Sequence, residues 1–127
     1  MIERTIAALF IVVGIIHFLP LSGAISAGRL SKLYGVSFQD PNLVILMRHR
    51  AVLFGLLGAF FFYAAAQPAI QAPAFVAGFI SVGSFIGLAK AEAGYNTAIG
   101  RVVAADLVAA VCLVAGLSLW MLNRAHG

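Results

Sequence analysis

The chain has 127 residues, of which 63% are hydrophobic and only 9% are charged. Its mean hydropathy of +1.07 lies well above that of a water-soluble domain. In a soluble protein the net charge of +4 would favour nucleic-acid binding, but among apolar helices basic residues set membrane topology and contact anionic headgroups. The single cysteine, Cys112, excludes an internal disulfide and a cysteine metal cage. We therefore expect an integral membrane protein whose partners include membrane lipid and no nucleic acid.

Four apolar runs predict four transmembrane helices, at roughly residues 5–19, 41–66, 73–89 and 98–122. Pro20 stops or kinks the first run. Asp40 followed by Pro41 is typical of an N-cap and a first helical residue, and Thr97 can cap the fourth helix. The four runs leave no room for a soluble domain, so we expect a single integral membrane domain over residues 1–127.

The polar connection from Ser22 to Asp40 contains apolar residues at helical spacing. These residues alternate with serines and basic residues, which predicts a short amphipathic helix on the membrane surface, ended by Gly35. The two later connections are short, and short connections favour antiparallel neighbours. The sequence therefore predicts an all-α fold of four transmembrane helices in an up-down-up-down bundle, with the surface helix between the first and second.

The distribution of basic residues predicts the orientation in the membrane. The first and third connections carry Arg29, Lys32, Lys90 and Arg101. The termini carry Arg4 and Arg124, and the second connection carries no Lys or Arg. Because cytoplasmic segments carry an excess of Lys and Arg, we expect the first and third connections in the cytoplasm and both termini outside.

Two charged residues, Arg48 and Asp106, fall inside apolar runs. Each lies about 10 Å into its helix from the same side of the membrane. Arg48 shares a stripe with Ala51 and Gly55, and small residues of this kind favour close helix packing. Asp106 also has small neighbours on its face. Arg50 shares its face with bulky residues, so we expect it to face lipid.

An inward carboxylate in a membrane requires a partner, and Arg48 is the best candidate for Asp106, with Arg101 second. Further polar groups lie at a similar level and are expected to line a shallow cavity. The predicted ligand-binding residues are His17, Arg48, Ser81, Ser84, Tyr95, Asn96, Arg101 and Asp106. The alternative is that the Arg48–Asp106 pair only pins two helices, with no ligand involved.

Other kinds of site lack the residues they require. His17, His49 and His126 are scattered along the chain, which disfavours a histidine metal site and a haem. The sequence contains no glycine-rich phosphate loop and no nucleophile elbow. We therefore expect no metal and no cofactor, and the absence of a catalytic motif disfavours an enzyme.

Three segments carry a resemblance to a known group of proteins. They are Leu33-Tyr34-Gly35-Val36, then Arg48-His49-Arg50-Ala51 followed by Gly55 and Gly58, and the turn that leads to Arg101 and Asp106. In these segments the chain resembles small bacterial four-helix membrane proteins related to the DoxX-like group. The resemblance implies four transmembrane helices in a bacterial inner membrane and implies no substrate. Arg48 and Asp106 match the group by position, and the resemblance assigns no role to either residue.

Two functions are compatible with this pattern. The first is a small membrane module that binds or transports an anionic or lipid-like molecule in a polar pocket near one membrane face. The second is a structural or accessory subunit without a ligand, whose small-residue faces pack against a second copy, as a homo-oligomer, or against a larger membrane complex.

Overall fold

The computed structural model describes all 127 residues and contains helices, turns and short irregular segments without any β-strand. The five α-helices are α1 (Ile2–Phe18), α2 (Ala27–Tyr34), α3 (Pro41–Ala66), α4 (Gln71–Ala91) and α5 (Thr97–His126). Two 3₁₀ segments, Leu19–Ala24 and Pro68–Ile70, precede α2 and α4. Four helical segments are long and apolar enough to cross a membrane. The prediction of an all-helical chain with four such segments is confirmed.

The first apolar segment is longer than the sequence suggested. The α-helix ends at Phe18, and the chain continues as a 3₁₀ helix that begins at Leu19 and contains Pro20 at its second position. Proline is tolerated at the start of a helical segment because the first backbone N–H groups have no helical acceptor there. The continuous apolar segment therefore runs from Ile2 to Ala24, and Pro20 changes the type of helix without ending it.

The first connection contains the short helix α2. The side chain of Ser26 accepts a hydrogen bond of 3.2 Å from the backbone N–H of Arg29. Gly35 ends the helix with a φ of +63°, a conformation that a residue with a Cβ rarely adopts. Leu30 and Tyr34, one turn apart, are buried against the rest of the protein. The predicted end of this helix at Gly35 is confirmed.

The starts of α3 and α5 are fixed by side-chain caps. The carboxylate of Asp40 accepts a hydrogen bond of 2.9 Å from the N–H of Asn42, as the sequence predicted. The cap of α5 is Asn96, whose side-chain oxygen Oδ1 accepts a hydrogen bond of 2.8 Å from the backbone N–H of Ile99. The assignment of this cap to Thr97 was wrong, because Thr97 is already the first helical residue.

Helix α1 packs most extensively against α3 and α5, while α4 packs mainly against α5. The contact of α1 with α3 is a close approach of two backbones. A Cβ placed on Gly58 would lie 2.9 Å from the carbonyl oxygen of Gly14 and 2.9 Å from the nitrogen of Phe18. The core that α1 shares with its neighbours consists of Ile6, Phe10, Val13, Phe61, Ala64, Ala74, Phe75, Val82, Ala109 and Leu113.

Candidate functional site

A cavity of about 280 Å³ lies where the end of α1 meets α2, α3, the end of α4 and the start of α5. Its polar lining residues are His17, Lys32, Tyr34, Arg50, Arg101 and Asp106. Its apolar lining residues are Ile16, Leu19, Pro20, Leu33, Phe54, Phe85, Ala98, Val102 and Ala105. Arg50 and Asp106 each lie about 14 Å from the start of their helices, so the cavity extends well into the bundle.

Asp106 is the acidic residue of this cavity. It is only 7% exposed and lines the cavity wall. No protein group donates a hydrogen bond to its carboxylate, yet no fully buried polar side-chain atom in the protein lacks a partner. The carboxylate oxygens of Asp106 therefore open into the cavity. A carboxylate in this position has unused hydrogen-bond acceptors that are directed at any molecule in the cavity.

Arg50 brings a positive charge to the inner wall of the cavity. Its Nη1 group donates a hydrogen bond of 2.8 Å to the hydroxyl oxygen of Tyr34. The guanidinium also lies 4.6 Å from the ring centroid of Phe54 and 5.9 Å from that of Phe85. These contacts hold the guanidinium by cation–π attraction and a single hydrogen bond, which leaves further N–H donors free for a ligand.

Two more cations lie at the opening of the cavity. Lys32 of α2 and Arg101 of α5 are exposed and also line the cavity. With Arg50 they outnumber the carboxylate of Asp106 three to one. The site is therefore positively charged overall and has one acceptor on its inner wall, an arrangement that attracts an anion carrying a hydrogen-bond donor.

His17 occupies the buried side of the cavity and has its hydrogen bonds satisfied. It is 1% exposed and lies between the rings of Phe54 and Phe61, at centroid distances of 5.9 Å and 4.9 Å. Its Nδ1–H donates a hydrogen bond of 2.9 Å to the carbonyl oxygen of Val13, since a carbonyl can only accept. The Nε2 atom lies 3.1 Å from the hydroxyl oxygen of Ser81. The imidazole is thus fixed between α1 and α4.

The expected pair of Arg48 and Asp106 was wrong. Arg48 is exposed, does not line the cavity, and donates a hydrogen bond of 2.8 Å from Nε to the carbonyl oxygen of Ala24. Ala51 and Gly55 are buried, as predicted, but a Cβ on Gly55 would meet the side chain of Leu21. The small-residue face of α3 therefore packs against the 3₁₀ segment after α1. Arg48 lies on the same face and for that reason contacts the same segment.

The remaining predicted residues lie outside the cavity wall. Ser84 is exposed and donates a hydrogen bond of 3.0 Å to the carbonyl oxygen of Ser81 in its own helix. Tyr95 is 47% exposed and does not line the cavity. The amide nitrogen of Asn96 donates a hydrogen bond of 2.8 Å to the carbonyl oxygen of Tyr34. Asn96 thus fixes α2 to the start of α5 and shapes the cavity from behind its wall.

Sequence reasoning placed three of its eight candidates, His17, Arg101 and Asp106, in the wall of this cavity. It missed Lys32, Tyr34 and Arg50 as site residues. The signal for Arg50 was its spacing from Phe54, because residues four apart on a helix lie on the same face and a guanidinium packs well on an aromatic ring. Tyr34 was detectable as the last apolar residue of the predicted amphipathic helix, since the apolar face of such a helix must be covered.

Comparison of the chain with protein-family models, with curated proteins and with solved structures found no match.

Proposed function

We propose that this is a multi-pass protein of a bacterial inner membrane that binds a small anionic amphiphile in the cavity between α2 and the four long helices. The observation that carries the proposal is Asp106. Asp106 as a residue is only 7% exposed, and its carboxylate has no protein donor and opens into a cavity lined by three cations. A buried charge without a partner is costly in a membrane protein and marks a functional site by default.

The cavity wall specifies the chemistry of the ligand. Lys32, Arg50 and Arg101 are suited to a carboxylate or phosphate group. Asp106 is suited to a hydroxyl or ammonium group of the same molecule, because an ionised carboxylate only accepts hydrogen bonds. Phe54 and Phe85 offer apolar contact to the rest of it. A volume of about 280 Å³ fits a headgroup or a small acid.

The interior of the bundle favours binding over transport. Beyond the cavity, α1 continues through the buried residues Val13, Phe10 and Ile6. The rings of Phe10 and Phe75 lie 4.6 Å apart, and Phe10 also packs near Phe61 at 6.3 Å. These residues form an apolar plug with no polar group, so a charged ligand has no continuous path to the opposite end.

The proposal includes an arrangement in the membrane. The four long helices alternate in direction as an up-down-up-down bundle, and α2 lies at the surface with its buried residues Leu30 and Tyr34 towards the other helices. The connections with Arg29, Lys32 and Lys90 are cytoplasmic, which is supported by their positive charge. A relationship to the DoxX-like group and association with further copies or a larger complex stay predictions from the sequence.

A photo-crosslinking experiment tests the ligand site. Purified protein in detergent is exposed to a medium-chain fatty acid that carries a diazirine and an alkyne, and the labelled peptides are identified by mass spectrometry. We expect labelling to concentrate in residues 98–106 and around Phe54. Arg50→Gln should weaken labelling about tenfold, because it removes a half-buried cation of the cavity wall that would contact the anion. Arg48→Gln is the matched control and should leave labelling unchanged.

Asp106 gives a second measurement. Asp106→Leu should keep or raise the free energy of unfolding, since the carboxylate makes no hydrogen bond to the protein and its burial is costly. The same change should lower the preference for a hydroxy fatty acid over the unsubstituted one, because it removes the proposed acceptor for the hydroxyl group. Equal labelling of the Arg48→Gln and Arg50→Gln variants would overturn the proposed ligand site. A folded wild-type protein that is labelled at no residue would favour the structural or accessory role.

A further inference from the structure

A second polar cavity lies at the opposite end of the bundle. It has a volume of about 400 Å³ and is formed by the start of α1, the end of α3, the start of α4 and the end of α5. Along α1 it begins near Ile6, about 15 Å from Ile16 in the first cavity. The two cavities are therefore separate sites on opposite sides of the apolar plug.

Gln71 directs an unused acceptor into this cavity. The residue is only 5% exposed and lines the cavity. Its Nε2 group donates a hydrogen bond of 3.2 Å to the carbonyl oxygen of Ala64, which fixes the orientation of the amide. Its Oε1 atom accepts no protein hydrogen bond, and no fully buried polar atom lacks a partner, so this oxygen opens into the cavity. The free acceptor is available to a hydrogen-bond donor of a molecule in the cavity.

Two arginines from opposite ends of the chain line the same cavity. Arg4 comes from the first turns of α1 and Arg124 from the last turn of α5. The guanidinium of Arg124 lies 4.8 Å from the ring centroid of Trp120, which limits its mobility. Glu3 also lines the cavity, so the arginines leave one net positive charge and Glu3 adds a second acceptor.

We propose that this second cavity binds the phosphodiester headgroup of an anionic membrane lipid, with Arg4 and Arg124 on the phosphate and Gln71 Oε1 on a headgroup hydroxyl. Arginine pairs are well suited to phosphate because the guanidinium offers parallel N–H donors. The hydroxyl satisfies the free acceptor of the buried amide.

The position of the cavity favours a lipid as the source of the phosphate. It lies at the ends of the first and last apolar segments, where lipid headgroups meet the helices. Trp120 lies at the same level, and tryptophan is enriched at membrane interfaces. The proposal does not depend on the function of the first cavity, because it involves none of the same residues.

Native mass spectrometry of the full chain tests the proposal. Delipidated protein is titrated with phosphatidylglycerol, which has headgroup hydroxyls, and with phosphatidylcholine, which has none. We expect stronger binding of phosphatidylglycerol. The double variant Arg4→Gln with Arg124→Gln should weaken the binding of phosphatidylglycerol about fivefold for each arginine removed. The matched control, Arg29→Gln with Lys90→Gln, removes two exposed charges at the other end and should change binding less than twofold.

Competition with inorganic phosphate at constant ionic strength identifies the source. If inorganic phosphate displaces phosphatidylglycerol, the cavity is a phosphate-binding site and free phosphate is the source of the group. If inorganic phosphate does not displace the lipid, the result supports the lipid headgroup as the ligand. The proposal is overturned if wild-type protein binds both lipids equally, or if the two double variants lose phosphatidylglycerol to the same extent.

Discussion

Asp106 and Gln71 share a feature at the residue scale, since each is a nearly buried polar side chain with an acceptor that no protein group uses. Such groups are costly in the apolar interior of a membrane protein, where few alternative partners exist. His17 shows the opposite case, because both of its nitrogens have partners within the bundle. The unused acceptors are therefore the basis of the two proposed ligand sites, and His17 supports the wall around one of them.

The first prediction concerns the residue that caps α5. Asn96→Ala removes a cap to the N–H of Ile99 and two hydrogen bonds to the carbonyl groups of Tyr34 and Gly35. We expect it to lower the free energy of unfolding by about 2 kcal/mol. Thr97→Ala is the control and should change it by less than about 0.5 kcal/mol. Denaturation in mixed detergent measures both, and a larger loss from Thr97→Ala would contradict the assignment of the cap.

At the scale of elements, α3 has two faces that contact protein. Its small residues meet α1 and the 3₁₀ segment that follows it, and a Cβ at Gly58 would touch their backbone. Its other face carries Arg50, Phe54 and the fully buried Phe61 towards the cavity and the core. A helix in contact with two neighbours buries large residues as well as small ones, so residue size alone does not identify its lipid-facing side.

The second prediction compares two glycines in different helices. Gly58→Ala should lower the free energy of unfolding by about 3 kcal/mol, because its Cβ would press on the backbone of α1. Gly83→Ala places its Cβ in open space and should raise stability by about 0.5 kcal/mol through helix propensity. Unfolding curves in the same detergent report both values. A neutral Gly58→Ala would mean that α1 and α3 are not in close contact.

At the scale of the whole molecule, polar cavities lie at both ends of the bundle and an apolar core lies between them. The first cavity carries the excess of positive charge, and its end of the bundle also carries Arg29, Lys90 and the helix α2. The second cavity has two arginines and Glu3. This asymmetry of charge is the basis of the proposed orientation, because basic residues are retained on the cytoplasmic side.

The third prediction tests that orientation in intact cells. In a Cys112→Ser background, Gln39→Cys lies in the connection between α2 and α3, and Gly127→Cys lies at the C-terminus. A membrane-impermeant maleimide should label Gly127→Cys in intact cells and should label Gln39→Cys only after permeabilisation. Labelling of Gln39→Cys from outside would reverse the orientation, and equal labelling of both would contradict the alternation of the four long helices.

The sequence by itself determined the helices and most of their ends. Four apolar runs are sufficient to specify membrane-crossing helices, because a backbone in hydrocarbon must satisfy its own hydrogen bonds. Asp40, Pro41 and Gly35 fixed helix ends through local geometry, which needs no tertiary contact. Asp106 was predicted as a candidate site residue for a similar reason, since a charge inside an apolar run is costly wherever the helix faces, and it lines the first cavity.

Only the tertiary structure decided which arginine lines the same cavity as Asp106 and which residues complete the two cavities. Arg48 and Arg50 lie two positions apart on α3, on faces that both contact protein, so the size of their neighbours led to the wrong choice between them. Arg48, expected to face inward, is exposed, and Arg50, expected to face lipid, lines the cavity. The structure distinguishes them because the small-residue face of α3 meets the segment after α1, which directs Arg48 to Ala24. The second cavity joins Arg4 and Arg124 from opposite ends of the chain, and only helix packing brings such residues together.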